Sequence, residues 1–358
     1  MNIGLVTTSF PRRTGDYAGS FVGDRVGRLL ADGHTVHVLA AGDGETTREM
    51  EHERLTVARI APHRDPATWA APNARLFYGA GAPEALEAGG AAIWIAAARF
   101  TVALTAAVRA RVERFDLLES HWLVPSALTA LVAARRLPHR AYAHSGDVAL
   151  LERIPLGRAL ARRLVRDGVE LRFVSDELRA RFAALAGAGP AVGSVQTIAP
   201  AAADWPARAG IDAAGRARLG LAGPTVLAVG RLVPIKGHDR LLRACARAQF
   251  GAAPATPPVE VVILGDGPER DRLGRLAATL GVRLRLPGIV PRAEVARWLR
   301  ASDVYVQPSI RLANGRGEGA PTATAEARAV GIPVLIESDV DRLAQGLRRR
   351  FHAIATGV

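Results

Sequence analysis

Short runs of aliphatic and β-branched residues alternate along the chain with longer stretches in which apolar positions recur every three or four residues. In the first half the short runs are NIGLVTT (2–8), TVHVLAA (35–41), LTVARI (55–60), DLLES (116–120), RAYAHS (140–145), LRFVS (171–175) and VQTIA (195–199). The second half repeats the scheme with TVLAVGR (225–231), VEVVILG (259–265), VRLRL (282–286), VYVQPS (304–309) and PVLIE (333–337). Strands that are apolar almost throughout, separated by helices, predict parallel sheets covered on both faces, hence a doubly wound α/β class. The segment APAAADWPARAGID (199–212) lacks periodicity and carries two prolines, which places a domain junction there and divides the chain into 1–200 and 201–358. QFGAAPATPPV (249–259) reads as a second proline-rich loop, inside the second series. In such folds ligands bind beyond the carboxyl ends of the strands, so the loops that follow them are the places to look for chemistry.

One of those loops is GRLVPIKG (230–237), and its Lys236 is the only lysine among 47 basic residues, the other 46 (47 − 1) being arginine. A strand ends at Gly230, Arg231 and Lys236 flank a short turn, and a helix is predicted to start near Gly237. Two cations beside a glycine and a helix start form a receptor for a diphosphate. A compact ammonium can approach a single phosphate oxygen more closely than a planar guanidinium, which gives a reason for one lysine to persist here. The alternative is a surface lysine left by chance.

A second loop, GEGAPTATAEARAVGIP (317–333), places Glu318 and Glu326 eight residues apart around a helix start, with Pro321 in the first turn and Thr322 as a capping residue. Free N–H groups over 319–322 favour an anion, and the carboxylates can accept hydrogen bonds from sugar or ribose hydroxyls. Taken alone, acidic residues near a helix start need no functional explanation. The first strand–helix loop, SFPRRTGDYAGSFVGD (9–24), has Gly15 and Gly19 but no Gly-x-Gly-x-x-Gly fingerprint.

Charge and composition narrow the partners. A net charge of +13 (47 − 34) over 358 residues attracts anions. Nucleic acid is disfavoured, because the arginines are scattered, aromatics are only 5%, and no recognised binding module is present. The single Cys245, within the apolar LLRACARA, excludes an intrachain disulfide, suits a reducing cytoplasm and reads as core filler. MNIGLVTTSF lacks the basic opening of a signal peptide and reads as a first strand. AAIWIAAARFTVALTAAV (91–108) holds Arg99 near its middle, which predicts a buried or membrane-grazing helix rather than a span. RIPLGRALARRLVR (153–166) is a basic helix with an apolar stripe, suited either to an anionic membrane surface or to plain solvation.

Taken together and in order, GRLVPIKG, ILGDGPER (263–270), PGIVPRAEV (287–295), SDVYVQPS (302–309) and EGAPTATAEARAVGIP (318–333) resemble the retaining family-4 glycosyltransferases of the GT-B fold. The likeness covers the second half and continues more faintly through SHWLVPSAL (120–128), AHSGDVALLERIP (143–155) and FVSDELRARF (173–182). SIRLANGRGEG (309–319) looks most like the branch that builds bacterial exopolysaccharides of the colanic-acid type.

The resemblance implies two facing Rossmann-like domains with a cleft between them, the first on the acceptor side and the second binding a nucleotide-sugar. It implies that Arg231 and Lys236, at the turn opened by Gly230, hold the diphosphate. Glu318 with the loop Gly319, Ala320, Pro321 and Thr322 contacts sugar and phosphate, and Glu326 binds the ribose. Gly265 and Gly267 let the chain pass close to the nucleotide, and the backbone at Ile289 touches the base. His144 points at the transferred sugar, with a loop histidine of no consequence as the alternative. His121 is a candidate for acceptor contacts, Gly19 belongs to a flexible glycine loop beside donor and acceptor, and Asp147 is read as a turn or cap residue; Arg12 and Arg13, by their charge, suit an anionic acceptor, with ordinary exposed arginines as the alternative.

The resemblance implies metal-independent transfer with retained anomeric configuration, positive residues standing in for a metal ion, to a saccharide or lipid-linked acceptor at the cytoplasmic side of a membrane. After PVLIE the family pattern is shorter by about 15–25 residues, judged against ordinary loop lengths. That keeps two other readings in play, a sugar-nucleotide epimerase of the same fold and a shortened, non-catalytic nucleotide-binding relative.

Overall fold

The computed structural model describes residues 1–43, 49–61, 74–78, 82–200, 204–248 and 259–356. Most of the proline-rich loop 249–259 and residues 201–203 of the junction segment therefore lie outside the described residues. The chain divides into two compact units, Met1–Ala199 and Pro200–Val358.

The first unit is built on eight strands: β1 Asn2–Val6, β2 Thr35–Ala41, β3 Glu49–His52, β4 Leu55–Ile60, β5 Leu117–His121, β6 His139–Ala143, β7 Glu170–Phe173 and β8 Ser194–Val195. Their order is β3-β4-β2-β1-β5-β6-β7-β8, and every pairing is parallel except that of β3 with β4. The second unit carries β9 Thr225–Val229, β10 Glu260–Leu264, β11 Arg283–Gly288, β12 Val304–Gln307 and β13 Val334–Ile336, all parallel, in the order β11-β10-β9-β12-β13.

In each sheet the chain winds outward from a central strand and then returns to its other side. The reversal falls between β1 and β5 in the first unit and between β9 and β12 in the second. Loops leaving those strands diverge at the carboxyl end and open a crevice, the usual ligand position in such sheets.

Strand alternation explains the cores. On β9, Val226 and Ala228 face one apolar layer and Leu227 the other, and on β10 Val261 and Ile263 oppose Val262 and Leu264 in the same way. Helices on both faces bury them, as continuous apolar strands require. Trp205, from the segment read as a junction, is 2% exposed and packs into the second unit's core.

Two sequence expectations change. The acid-rich run at Glu49–His52, given no strand in the sequence reading, forms an antiparallel edge on β4, joined to it by a turn at Glu53, whose φ is 40°. The strand expected over 195–199 is only the short β8. The helix Gly90–Arg109 buries the stripe Ala96, Phe100, Leu104 and Val108 and leaves Trp94, Ile95 and Val102 exposed. It is long and apolar enough to cross a membrane, but a four-residue stripe on a sheet is also how a core helix is made. The basic helix Gly157–Arg166 buries only Gly157, Ala161 and Leu164, and Cys245 is buried, as core filler should be.

Candidate active site

In the second unit the site begins where β9 ends. Gly230 donates to Leu264 O and Leu232 donates to Asp266 O, so the chain beyond β9 stays paired with the chain beyond β10. A single 3₁₀ turn, Pro234–Lys236, follows, then Gly237 at φ 63° and the helix His238–Ala248. The turn directs Lys236 back across the strand end: a Cβ on Gly230 would lie 2.9 Å from Lys236 Cε. A side chain at 230 would displace the lysine stem from this path.

Lys236 Nζ lies 2.6 Å from Glu318 Oε1, with both side chains largely buried. The other carboxylate oxygen accepts from Gln307 Nε2 at 2.9 Å and from Ser309 Oγ. Burial by itself would raise the Glu318 carboxyl. The Lys236 ammonium, with help from Ser309 and Arg231, outweighs it and holds the pKa below the ordinary value. His238, under the same turn, is driven down to about 4 by burial and then by Lys236, and is neutral at pH 7.

Gly265 and Gly267 were expected to admit a nucleotide. Both also meet the chain itself: a Cβ on Gly265 would sit 2.0 Å from Gly230 O, and one on Gly267 2.5 Å from Leu232 O. These glycines let two loops of the protein itself run in contact, which in turn places Arg231.

The helix Thr322–Val330 starts at Pro321 without a side-chain cap, so Thr322 is its first residue and not the capping group expected from the sequence. Pro321 has no N–H; the donors available in that turn are those of Gly319, Ala320 and Thr322. Glu326, one turn in, is 7% exposed and lies 3.5 Å from Arg292 Nη2. Arg292 covers the Trp205 ring at 5.1 Å and approaches Asp204 at 3.6 Å. Ile289 follows β11 and is 57% exposed.

In the first unit the two candidate histidines meet, while Arg12 is held within its own loop. Gly19 adopts φ 66° at the start of the helix Ser20–Ala31, where a Cβ would lie 2.5 Å from Ser9 O. Arg12 is engaged inside its own loop, donating to Asp16 at 2.6 Å, near Asp43 at 3.6 Å and over the Tyr78 ring at 4.8 Å. Its charge already serves to order the turn.

His121 ends β5 with no exposed surface, and half-buried His144 follows β6; His121 Nδ1 and His144 Nε2 are 3.1 Å apart. Burial lowers both histidines below their ordinary pKa, His144 the further because His121 is beside it. Asp147, read as a cap, does more. Its buried carboxylate accepts from the N–H groups of Leu123, His144 and Val148 and ties the two histidine loops together. The two residues next to these histidines, Trp122 and Ser145, sit at φ 68° and 99°, a costly backbone for side chains of that kind that this staple holds in place.

Sequence reasoning missed the supports: Gln307 and Ser309 beside Glu318, Arg292 and Trp205 beside Glu326, and Glu119 with Arg25 beneath the histidines. One signal was available. Glu119 is a charged residue directly after two leucines in a short central strand, a position that calls for a buried partner.

Comparison with known proteins agrees with this geometry. Residues 216–345 match the family Glycosyl transferases group 1. A GDP-mannose-dependent alpha-(1-6)-phosphatidylinositol monomannoside mannosyltransferase of Mycobacterium tuberculosis is 30% identical over 352 residues, covering 92% of this chain and 79% of that protein. The Mycolicibacterium smegmatis enzyme of the same name is 30% identical over 235 residues, 61% of this chain, and the match spans 58% of its length. A putative colanic acid biosynthesis glycosyltransferase of Escherichia coli is 36% identical over 113 residues, 31% of this chain and 27% of that one. Among solved structures, a sucrose-phosphate synthase from Thermosynechococcus elongatus superposes with a TM-score of 0.72 at 16% identity, over 99% of this chain and 90% of that chain. Sequence and architecture converge: the chain belongs to the group 1 glycosyl transferases and has the GT-B fold.

Proposed function

We propose that the protein transfers a sugar from a nucleotide-sugar donor to a saccharide or lipid-linked acceptor, with retention of anomeric configuration and without a metal ion. The observation that carries this reading is the Lys236–Glu318 pair at 2.6 Å, set on glycine turns at the switch point between β9 and β12. Cleaving a sugar–phosphate bond leaves negative charge on the departing diphosphate. Arg231, Lys236 and the N–H groups of Gly319, Ala320 and Thr322 are placed to stabilise that charge as it grows, most strongly in the transition state. These cations supply what a divalent metal supplies elsewhere. Glu326, held by Arg292, is suited to accept from ribose hydroxyls, and the turn at Ile289 to meet the base.

The likeness to a colanic acid enzyme, together with the 309–319 loop, supports a role in cell-surface polysaccharide or glycoconjugate synthesis. The exposed apolar residues Trp94, Ile95 and Val102 on Gly90–Arg109, with a net charge of +13, support contact with an anionic membrane surface on the cytoplasmic side.

The test is transfer from a panel of UDP-, GDP- and ADP-sugars to saccharide and lipid-extract acceptors, with and without a chelator, the product's anomeric centre being read by NMR. Chelator-insensitive transfer with retention is expected. Interconversion of the donor sugar without an acceptor identifies an epimerase. Nucleoside diphosphate binding with no turnover identifies a non-catalytic relative. Loss of activity on chelation, or inversion, refutes the mechanism.

A further inference from the structure

A line of polar side chains runs inward from His144 through His121 to Glu119, in the first unit. We propose that Glu119 is a positioning residue: acting through His121, it determines which nitrogen of His144 carries the proton, so that His144 offers Nδ1 as a bare hydrogen-bond acceptor to a ligand hydroxyl. The inference rests on the reading of His144 as a sugar contact.

Glu119 has no exposed surface, and Arg25 donates to its two oxygens at 2.7 and 2.8 Å, with Arg140 at 3.5 Å. Burial favours the neutral acid, but Arg25 and then His121 outweigh it and bring its pKa to about 2, so the group is an anion. His121 Nε2 lies 3.6 Å from Glu119 Oε1, too long for an ordinary hydrogen bond, and has no hydrogen-bond partner among the described residues. A nitrogen lone pair turned on a buried carboxylate at that distance is repelled, whereas an N–H is attracted. His121 therefore carries its proton on Nε2.

The rest follows by elimination. His121 is neutral at pH 7, so its Nδ1 is a lone pair that can only accept. His144 Nε2, 3.1 Å away, must donate to it. His144 is also neutral, which leaves its Nδ1 without a proton. Aromatic rings hold the pair in register: His121 stacks on Tyr142 at 5.0 Å and 4°, while Phe21 and Trp122 lie 4.8 and 5.1 Å from His144. The opposite proton arrangement turns the His121 Nε2 lone pair on Glu119, so the buried carboxylate selects one tautomer for both rings.

The chemical consequence is specific. At its open nitrogen His144 has no proton to give and acts as an acceptor, not as a general acid. It selects a ligand that presents a hydroxyl and rejects the deoxy or methyl-ether analogue, since a lone pair then loses its donor.

Long-range proton–nitrogen NMR on the ¹⁵N-labelled full chain at neutral pH reads the tautomers directly, with resonances assigned from His121→Asn and His144→Asn variants. Both histidines are expected to show a protonated Nε2 and a bare Nδ1. A proton on Nδ1 of either ring, or a charged ring, overturns the proposal. In Glu119→Gln the His144 signature should change to the other tautomer or a mixture, and transfer should fall about two- to tenfold, the worth of one aligned hydrogen bond, with nucleoside diphosphate affinity unchanged. A folded Glu119→Gln protein with the wild-type His144 spectrum refutes the role of Glu119. If that variant does not fold, the wild-type spectrum still decides. The spectra need neither donor nor turnover, so failure of the transferase reading and failure of this proposal are separate results.

Discussion

Replacing Lys236 by Met tests the site most directly, because it has two consequences that the structure makes separable. At 2.6 Å and an effective dielectric near 20, the attraction between Lys236 and Glu318 is about 6 kcal/mol before desolvation is counted. Removing one partner of a buried pair typically costs about 3–5 kcal/mol. Here Glu318 keeps Gln307 and Ser309 as donors and Arg231 as a nearby charge, so a cost below that range, about 1–3 kcal/mol, is expected.

The second consequence is lost affinity. A charge-assisted hydrogen bond to phosphate contributes about 1.5–3 kcal/mol, so nucleoside diphosphates should bind about 10- to 150-fold more weakly, with nucleoside binding untouched. Denaturant melts and calorimetric titration read the two separately. Adding Glu318→Gln to Lys236→Met should recover stability, by removing the orphaned carboxylate, and should not recover diphosphate affinity. If Lys236→Met destabilises the fold but binds diphosphates as the wild type does, the pair is structural and the receptor lies elsewhere.

Three further outcomes are expected. Glu119 titrates at about 2 in the fold against an ordinary 4.5, so its stabilisation is complete above pH 4.5 and is lost as pH falls toward 2. That is about 3 kcal/mol, seen in acid denaturation as a wild-type slope that Glu119→Gln lacks. Gly265→Ala forces a methyl against Gly230 O at a φ of 139°, and should lower stability by about 2–3 kcal/mol and weaken diphosphate binding by moving Arg231, both visible in one thermal-shift series. Asp147→Asn weakens the staple on Leu123, His144 and Val148; transfer should fall with diphosphate affinity unchanged, and equal loss of both argues for global damage instead.

Sequence alone was enough wherever the cause of a structure lies within a few residues. The parallel sheets follow from continuous apolar strands, and the turn of GRLVPIKG, the glycine-to-helix transition at Gly237 and the helix after Pro321 follow from backbone rules of single residues. The singular lysine was visible by counting. What joins positions far apart in the chain was not. Arg25 and Glu119 are separated by 94 positions, and their pairing exists only because β1 and β5 are neighbours. Arg292 reaches Glu326 only once β11 and β12 have been placed in the sheet.

The glycines were legible in kind, but one contact that Gly265 must accommodate, Gly230 O, is a neighbour that strand order supplies. Local propensity and periodicity specify elements and turns. Which charges meet, which histidine nitrogen is silenced and which loops touch depend on the sheet order. That order is set by burying all apolar faces at once, and no short stretch of the chain contains it.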